Sequence, residues 1–306
     1  MNFQLDYLPR LARFNYLEPG SIKEACVLLD KYRDRARVLA GGTDLLVSMK
    51  RGKISPDFLI NIKRVPALDY IYHDKQENGL IRIGALSSLH SVASSPVINN
   101  EFGLLATACN KIGIPQVRNM GTIGGNICNA GPSQDSIPAL LVLDARLRLV
   151  SLQGERIIPI DQFFVGPFQT ALNDVELLTE IEIPKLPPRS DGCYRWLTKR
   201  TEADETLVGV AVLMSLDPTG NHCEDIKIGL CSVGPPGMRA KKAEVVLRDQ
   251  PIGISCIEET AQVAASEAEP RSRANYRRQM TAILVKRSLI EAWQRIKKAI
   301  DDGGIE

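Results

Sequence analysis

Residues 38–52 read VLAGGTDLLVSMKRG, and residues 114–145 read IPQVRNMGTIGGNICNAGPSQDSIPALLVLDA. Each stretch holds a glycine pair: Ala40-Gly41-Gly42-Thr43-Asp44 in the first, Gly121-Thr122-Ile123-Gly124-Gly125-Asn126 in the second. Glycine tolerates φ > 0 and lets a backbone approach a ligand with no Cβ in the way. Successive amides can then turn inward as a nest for an anion. A diphosphate suits such a nest, because it offers several acceptor oxygens to main-chain donors. Thr43 and Thr122 would add hydroxyls, and Asn126 an amide. Neither segment is a Rossmann G-x-G-x-x-G, nor a Walker A, which needs Gly-Lys-Ser/Thr. The pair therefore reads as two loops, distant in sequence, clasping one dinucleotide. Either glycine pair taken alone reads equally well as a tight turn or a β-bulge.

Around these loops the pattern alternates between helix and strand. Ser21 and Glu24 make a capping box ahead of the apolar stripe Ile22, Ala25, Cys26, Leu28 and Leu29, which predicts a helix over 21–32. Short strands follow at 37–40 and 57–62, making a small βαβ-type unit. Further strands are expected at 80–85, 145–150 and 176–183, with helices at 88–94 and 101–111 and the glycine-rich segment 121–131 between. The Pro- and charge-rich run 184–192 reads as a linker. Beyond it come strands at 193–199, 207–216 and 226–233, then helices near 240–247, 255–268 and 272–298. The last helix carries Tyr276, Met280, Ile283, Leu284, Leu289, Ile290 and Trp293 near one face.

Composition narrows the function classes. The chain has 306 residues, 44% hydrophobic and 24% charged, with 38 Lys and Arg against 36 Asp and Glu. A net charge of +2 argues against a dedicated nucleic-acid binder, which shows a strong basic excess. The longest apolar run, 207–216, is too short for a bilayer, where about 20 residues are needed. Asp6, Arg10 and Arg13 leave no apolar h-region near the start, so no signal peptide and a cytoplasmic location are expected. Seven cysteines, none spaced C-x-x-C, predict neither a disulfide framework nor a metal site in this chain. The histidines His73, His90 and His222 show no ligand spacing.

The motifs VLAGGTDLLVSMKRG (38–52), the 114–145 stretch and ELLTEIEIP (176–184) resemble the FAD-binding medium subunits of the molybdenum hydroxylases. That family includes aerobic carbon monoxide dehydrogenase, xanthine dehydrogenase and 4-hydroxybenzoyl-CoA reductase. RSRANYRRQMTAILVKRSL (271–289) is a weaker echo of the family's C-terminal end. The resemblance implies an α+β fold. Its FAD-binding domain, of PCMH/VAO-like type, would span residues 1–184 as two subdomains, about 1–62 and 63–184. A second domain over 193–300 would pack a three-stranded antiparallel sheet with helices.

The resemblance also implies the site. Val38, Leu39, Ala40, Gly41, Gly42, Thr43, Asp44 and Leu45 match the first FAD loop. Thr122, Ile123, Gly124, Gly125 and Asn126 match the second. Asp135 falls where the family keeps an acidic cofactor contact, and Ile112 and Leu178 where apolar side chains approach the flavin. Arg195 falls near a basic residue that contacts FAD in some members, where a positive charge would tune the potential. Tyr194 and Trp196 are candidates to cover the ring, or else packed core aromatics.

No catalytic residue and no metal ligand is expected on this chain. FAD would be bound non-covalently. The molybdopterin would lie on a large partner subunit and two 2Fe–2S clusters on a small one, with NAD, a quinone, ferredoxin or oxygen as external acceptor. The cysteine-rich 4Fe–4S insertion of the 4-hydroxybenzoyl-CoA reductases is absent, since Cys128 is followed directly by the run to Asp135. Two alternatives are a free-standing FAD-dependent oxidoreductase and a flavin-free scaffold subunit.

Overall fold

The structure, a computed structural model, describes residues 11–74, 76 and 79–302. The reading of the chain start at residues 1–10 and of the polar tail beyond 302 lies outside the described residues.

Residues 15–61 build a small parallel sheet. Its strands Asn15–Leu17, Phe58–Asn61 and Ala36–Leu39 lie in that order, both pairings parallel. The expected helix runs over Ile22–Tyr32, with Ser21 Oγ accepting from the Glu24 amide at 3.2 Å. The Glu24 carboxylate reaches back to the Gly20 amide at 2.7 Å, one residue earlier than a standard capping box. Ala25, Cys26 and Leu29 bury against Ile60 and Ile62.

The second unit is a five-stranded antiparallel sheet. Its order is Ile71–Asp74, Leu80–Gly84, Leu177–Ile183, Arg146–Ser151 and Gly154–Pro159, so the last strand in sequence is central in space. One face is apolar: Ile81, Ile83, Leu147, Leu149, Ile181 and Ile183 pack on the helices between 89 and 142. The other face is ionic. There Arg82 and Arg148 bracket Glu180 and Glu182, at 2.6–3.1 Å. The period of two puts these alternating residues on opposite sides.

The helical segment departs from expectation. The helix expected at 101–111 is Gly103–Lys111, and a separate short helix, Pro96–Glu101, precedes it. The glycine-rich stretch is itself partly helical, over Ile123–Asn129. The apolar run 137–143 is the buried helix Ser136–Val142.

Strands Ser190–Thr198, Thr206–Leu216 and His222–Cys231 form an antiparallel sheet, to which the short strands Met238–Arg239 and Gln250–Pro251 add. Helices Lys241–Leu247, Ile254–Glu267 and Ala274–Asp301 cover one face. The other face contributes Tyr194, Ala211 and Leu213 to the core shared with the helical segment. Gly229 explains how close the two come: a Cβ there would lie 2.6 Å from the Pro138 carbonyl oxygen.

Candidate functional site

The first glycine motif leaves strand Ala36–Leu39, turns, and enters helix Leu45–Lys50. Gly42 has φ +79, in the left-handed region that costs other residues about 1–2 kcal/mol. The Gly42 carbonyl takes the Leu46 amide at 3.1 Å, closing the turn. Gly41 does something different. Its φ is ordinary, but a Cβ there would stand 2.8 Å from Gly121 Cα and 2.9 Å from the Met120 carbonyl carbon, and closer still to the Met120 oxygen. Gly41 is where the two motifs touch, backbone on backbone. A Cβ on Gly121 would look back at Thr43 Oγ1 from 3.5 Å. The loops separated by some 80 residues therefore form one structure.

The second motif is tied down by its own chain. Thr122 Oγ1 caps helix Ile123–Asn129 by accepting from the Gly125 amide at 3.1 Å. The Ile123 and Gly124 amides donate to the Ser87 and Ala85 carbonyls, each at 3.0 Å. Gly124 is needed because a Cβ would sit 2.7 Å from the Ala85 oxygen. The Asn126 amide nitrogen donates to Gln134, and its oxygen accepts from Ser136 Oγ at 2.6 Å.

The free donors are therefore unequally shared. Among the described residues, the amides of the half-buried Gly41, Gly42 and Thr43 and of the adjoining Asp44 donate no hydrogen bond. Four successive unpartnered donors fit a diphosphate, whereas the Gly124, Gly125 and Asn126 amides already have acceptors within the chain. Val38 and Leu45 flank the loop, and Leu39 is buried beneath it.

Asp135 lies beyond the second motif, 5% exposed. Its Oδ1 accepts from Thr206 Oγ1 at 2.6 Å and from the Tyr194 hydroxyl, both on the C-terminal sheet. Burial pushes its carboxyl pKa up, while the Thr206 and Tyr194 hydroxyls and the Lys111 charge pull the other way. Lys111 was not singled out in sequence. It is 5% exposed and donates to the Asp204 carbonyl at 3.0 Å. Only tertiary packing shows it to be buried, since in sequence it is one more lysine at a helix end.

Three expected contacts fare differently. Ile112 ends helix Gly103–Lys111 half-buried, its carbonyl accepting from Arg118 at 3.2 Å. Leu178 is on the central strand, opposite Leu149 and inside the core. Arg195 lies on strand Ser190–Thr198 of the C-terminal sheet. Tyr194 reaches Asp135 from one face of its strand, and the next residue points to the other, where Arg195 pairs with Glu291 of the long C-terminal helix. It does not join the glycine motifs. It lines instead a cleft of about 880 Å³ with Leu104, Met280, Ile283 and Arg295, which contains no residue of either motif. Tyr194 is a packed aromatic, stacked on Trp196 with centroids 5.9 Å apart.

Residues 12–186 match the FAD binding domain in molybdopterin dehydrogenase, and residues 193–292 the CO dehydrogenase flavoprotein C-terminal domain. The chain belongs to this family. It is an FAD-binding medium subunit of the molybdenum hydroxylase class, and so a subunit of an oxidoreductase. The medium chain of carbon monoxide dehydrogenase from Hydrogenophaga pseudoflava is 34% identical, over 92% of this chain and 98% of that one. The glyceraldehyde dehydrogenase medium chain of Sulfolobus acidocaldarius is also 34% identical, over 91% and 98%. The xanthine dehydrogenase FAD-binding subunit of Escherichia coli O157:H7 is 28% identical over 84% and 87%. The solved Hydrogenophaga pseudoflava carbon monoxide dehydrogenase superposes with a TM-score of 0.88, covering 94% of this chain and 99% of that chain. Among the described residues no helix is long and apolar enough to cross a membrane, and all seven cysteines are free thiols.

Proposed function

We propose that this medium subunit is an electron relay, in which FAD passes electrons from 2Fe–2S clusters on a small partner subunit to an external acceptor. Substrate chemistry would then occur at a molybdopterin on a large partner subunit. The observation that carries the cofactor assignment is the contact of Gly41 with Met120 and Gly121, which sets four unpartnered amides beside the second motif. FAD supplies the redox chemistry when bound, since a flavin takes electrons singly and delivers them in pairs.

The chain's own part is to bind and orient. The Gly41–Asp44 amides would hold the diphosphate. Thr122, Gly124 and Gly125 keep helix Ile123–Asn129 against Ala85, so the loop has a fixed wall. Ile112, half-buried at the end of helix Gly103–Lys111, would supply apolar surface, and Asp135 a buried acceptor. No group here is required to move a proton on the organic substrate, which fits a site without an activated nucleophile: burial raises the thiols of Cys109 and Cys231, and that of Cys128 to about 12. The division of the chain into an FAD-binding part ending near 184 and a second domain from 193 belongs to the same proposal, as does non-covalent binding.

The test is the visible spectrum of the purified chain, alone and co-expressed with its large and small partners, with chromatography of heat-released cofactor. FAD in both preparations, with iron–sulfur absorbance only in the complex, is expected. A complex that passes electrons from substrate to acceptor equally well after FAD removal would refute the relay.

A further inference from the structure

Asp135 is held by one oxygen only. Thr206 and Tyr194 both donate to Oδ1, and no bond reaches Oδ2 among the described residues. Asp135 also stands at the N-cap position of helix Ser136–Val142 but makes no side-chain cap bond. An Asp there ordinarily accepts from an amide of the first turn; here the carboxylate is turned to the C-terminal sheet instead. The sheet is shaped for this. Gly209, on the neighbouring strand opposite Trp196, has no side chain where a Cβ would fall inside contact distance of the Tyr194 hydroxyl and Cys231 Sγ. That gap is the slot the hydroxyl occupies.

We propose that Tyr194 and Thr206 are positioning residues for cofactor retention. By taking Oδ1, they orient Asp135 so that Oδ2 remains to accept from a hydroxyl or N–H of the flavin nucleotide. The inference rests on the reading of Asp135 as a cofactor contact. It goes further in making FAD affinity depend on two hydroxyls of the C-terminal sheet, outside both glycine motifs. The groups facing the carboxylate are Lys111 from helix Gly103–Lys111, Glu205 beside Thr206, Tyr194 and Cys231 from the sheet, and Cys109 from the helix. Each hydroxyl favours the ionised carboxylate against its burial. Removing one moves the carboxyl pKa upward, so FAD binding is lost at a higher pH as pH falls.

The experiment titrates FAD into the flavin-stripped full chain, followed by fluorescence quenching across pH, for wild type, Tyr194→Phe, Thr206→Val, Thr206→Ser and Asp135→Asn. Tyr194→Phe keeps the ring on Trp196, and thermal unfolding of each variant verifies the fold. Tyr194→Phe and Thr206→Val are expected to bind about tenfold more weakly, the worth of one hydrogen bond to a charged group. Their pH midpoint should rise, Thr206→Ser should restore the wild-type profile, and Asp135→Asn should be weak and flat with pH. Wild-type affinity and midpoint in Tyr194→Phe and Thr206→Val, with Asp135→Asn weak, overturns the positioning role alone. So does a Thr206→Ser variant as weak as Thr206→Val. Wild-type affinity in Asp135→Asn removes Asp135 from the cofactor site. A wild-type chain that takes up no FAD removes the cofactor reading itself.

Discussion

Replacing Gly41 with alanine adds one methyl group where two backbones meet. The new Cβ would lie 2.8 Å from Gly121 Cα and 2.9 Å from the Met120 carbonyl carbon. Carbon atoms rest at about 3.5–4.0 Å, so the motifs must part by about 1 Å. No side chain can rotate away to absorb this, because both obstacles are main chain. Backbone conformation contributes nothing to the cost, since Gly41 is outside the left-handed region. Overpacking of this kind costs about 1–3 kcal/mol, and rigid neighbours put Gly41→Ala at the upper end. For a unit of this size that is a fall in Tm of about 5–10 °C. Gly52→Ala is the control: its φ is +66, but a Cβ there meets nothing within 4 Å, so it carries only the conformational cost of about 1 kcal/mol. The assay is thermal unfolding of the flavin-free chain, then FAD titration of the folded variant at low temperature. Gly41→Ala should lose more stability than Gly52→Ala, and alone should bind FAD at least tenfold more weakly. Wild-type FAD affinity in Gly41→Ala would refute the claim that the contact sets the geometry of the amides.

Gly42→Val combines φ +79 with a methyl group pressed on Leu39 and Leu46; a loss of at least about 2 kcal/mol and of flavin retention is expected, measured by unfolding and released FAD. Arg82→Met leaves Glu180 and Glu182 buried beside Arg148 alone, which should cost about 3–5 kcal/mol by denaturant unfolding. Burial raises the Glu180 carboxyl, but bonds from Tyr70, Arg82 and Arg148 outweigh it and hold the pKa below its ordinary value. Its stabilisation is therefore present above the unfolded pKa and lost as pH falls through the folded one. The variant should show a shallower loss of stability on acidification than wild type. Arg195→Gln breaks a pair whose side chains are 40% and 33% exposed; stability should change by less than about 1 kcal/mol and FAD affinity not at all. A marked loss of FAD from that variant would make Arg195 a cofactor contact.

Much was legible before the fold was known. Strong periodicity located the helix Ile22–Tyr32, the three long C-terminal strands and the helix from Ala274 to within a few residues of each end. The strand Gly154–Pro159 escaped notice because its exposed pattern carries no alternation. Helix Ile123–Asn129 was hidden because glycine reads as loop. Two glycines stand in that helix for steric reasons, one flush against Ala85 and the other beside the Thr122 cap. The pairing of Arg195 with Glu291 of the long C-terminal helix was not legible either, because it joins segments almost a hundred residues apart.

By itself the sequence determined the kinds of element, the two glycine motifs and the resemblance that made FAD the cofactor, because these depend on local spacing and residue type. Only the tertiary structure decided that Gly41 is the point of contact between the motifs and that the unbroken run of free amides belongs to the first. It alone set Asp135 beneath Tyr194 and Thr206 of a sheet more than fifty residues away. Such facts turn on which surfaces meet and which donors are already used, and these are settled by packing between segments that no local pattern connects.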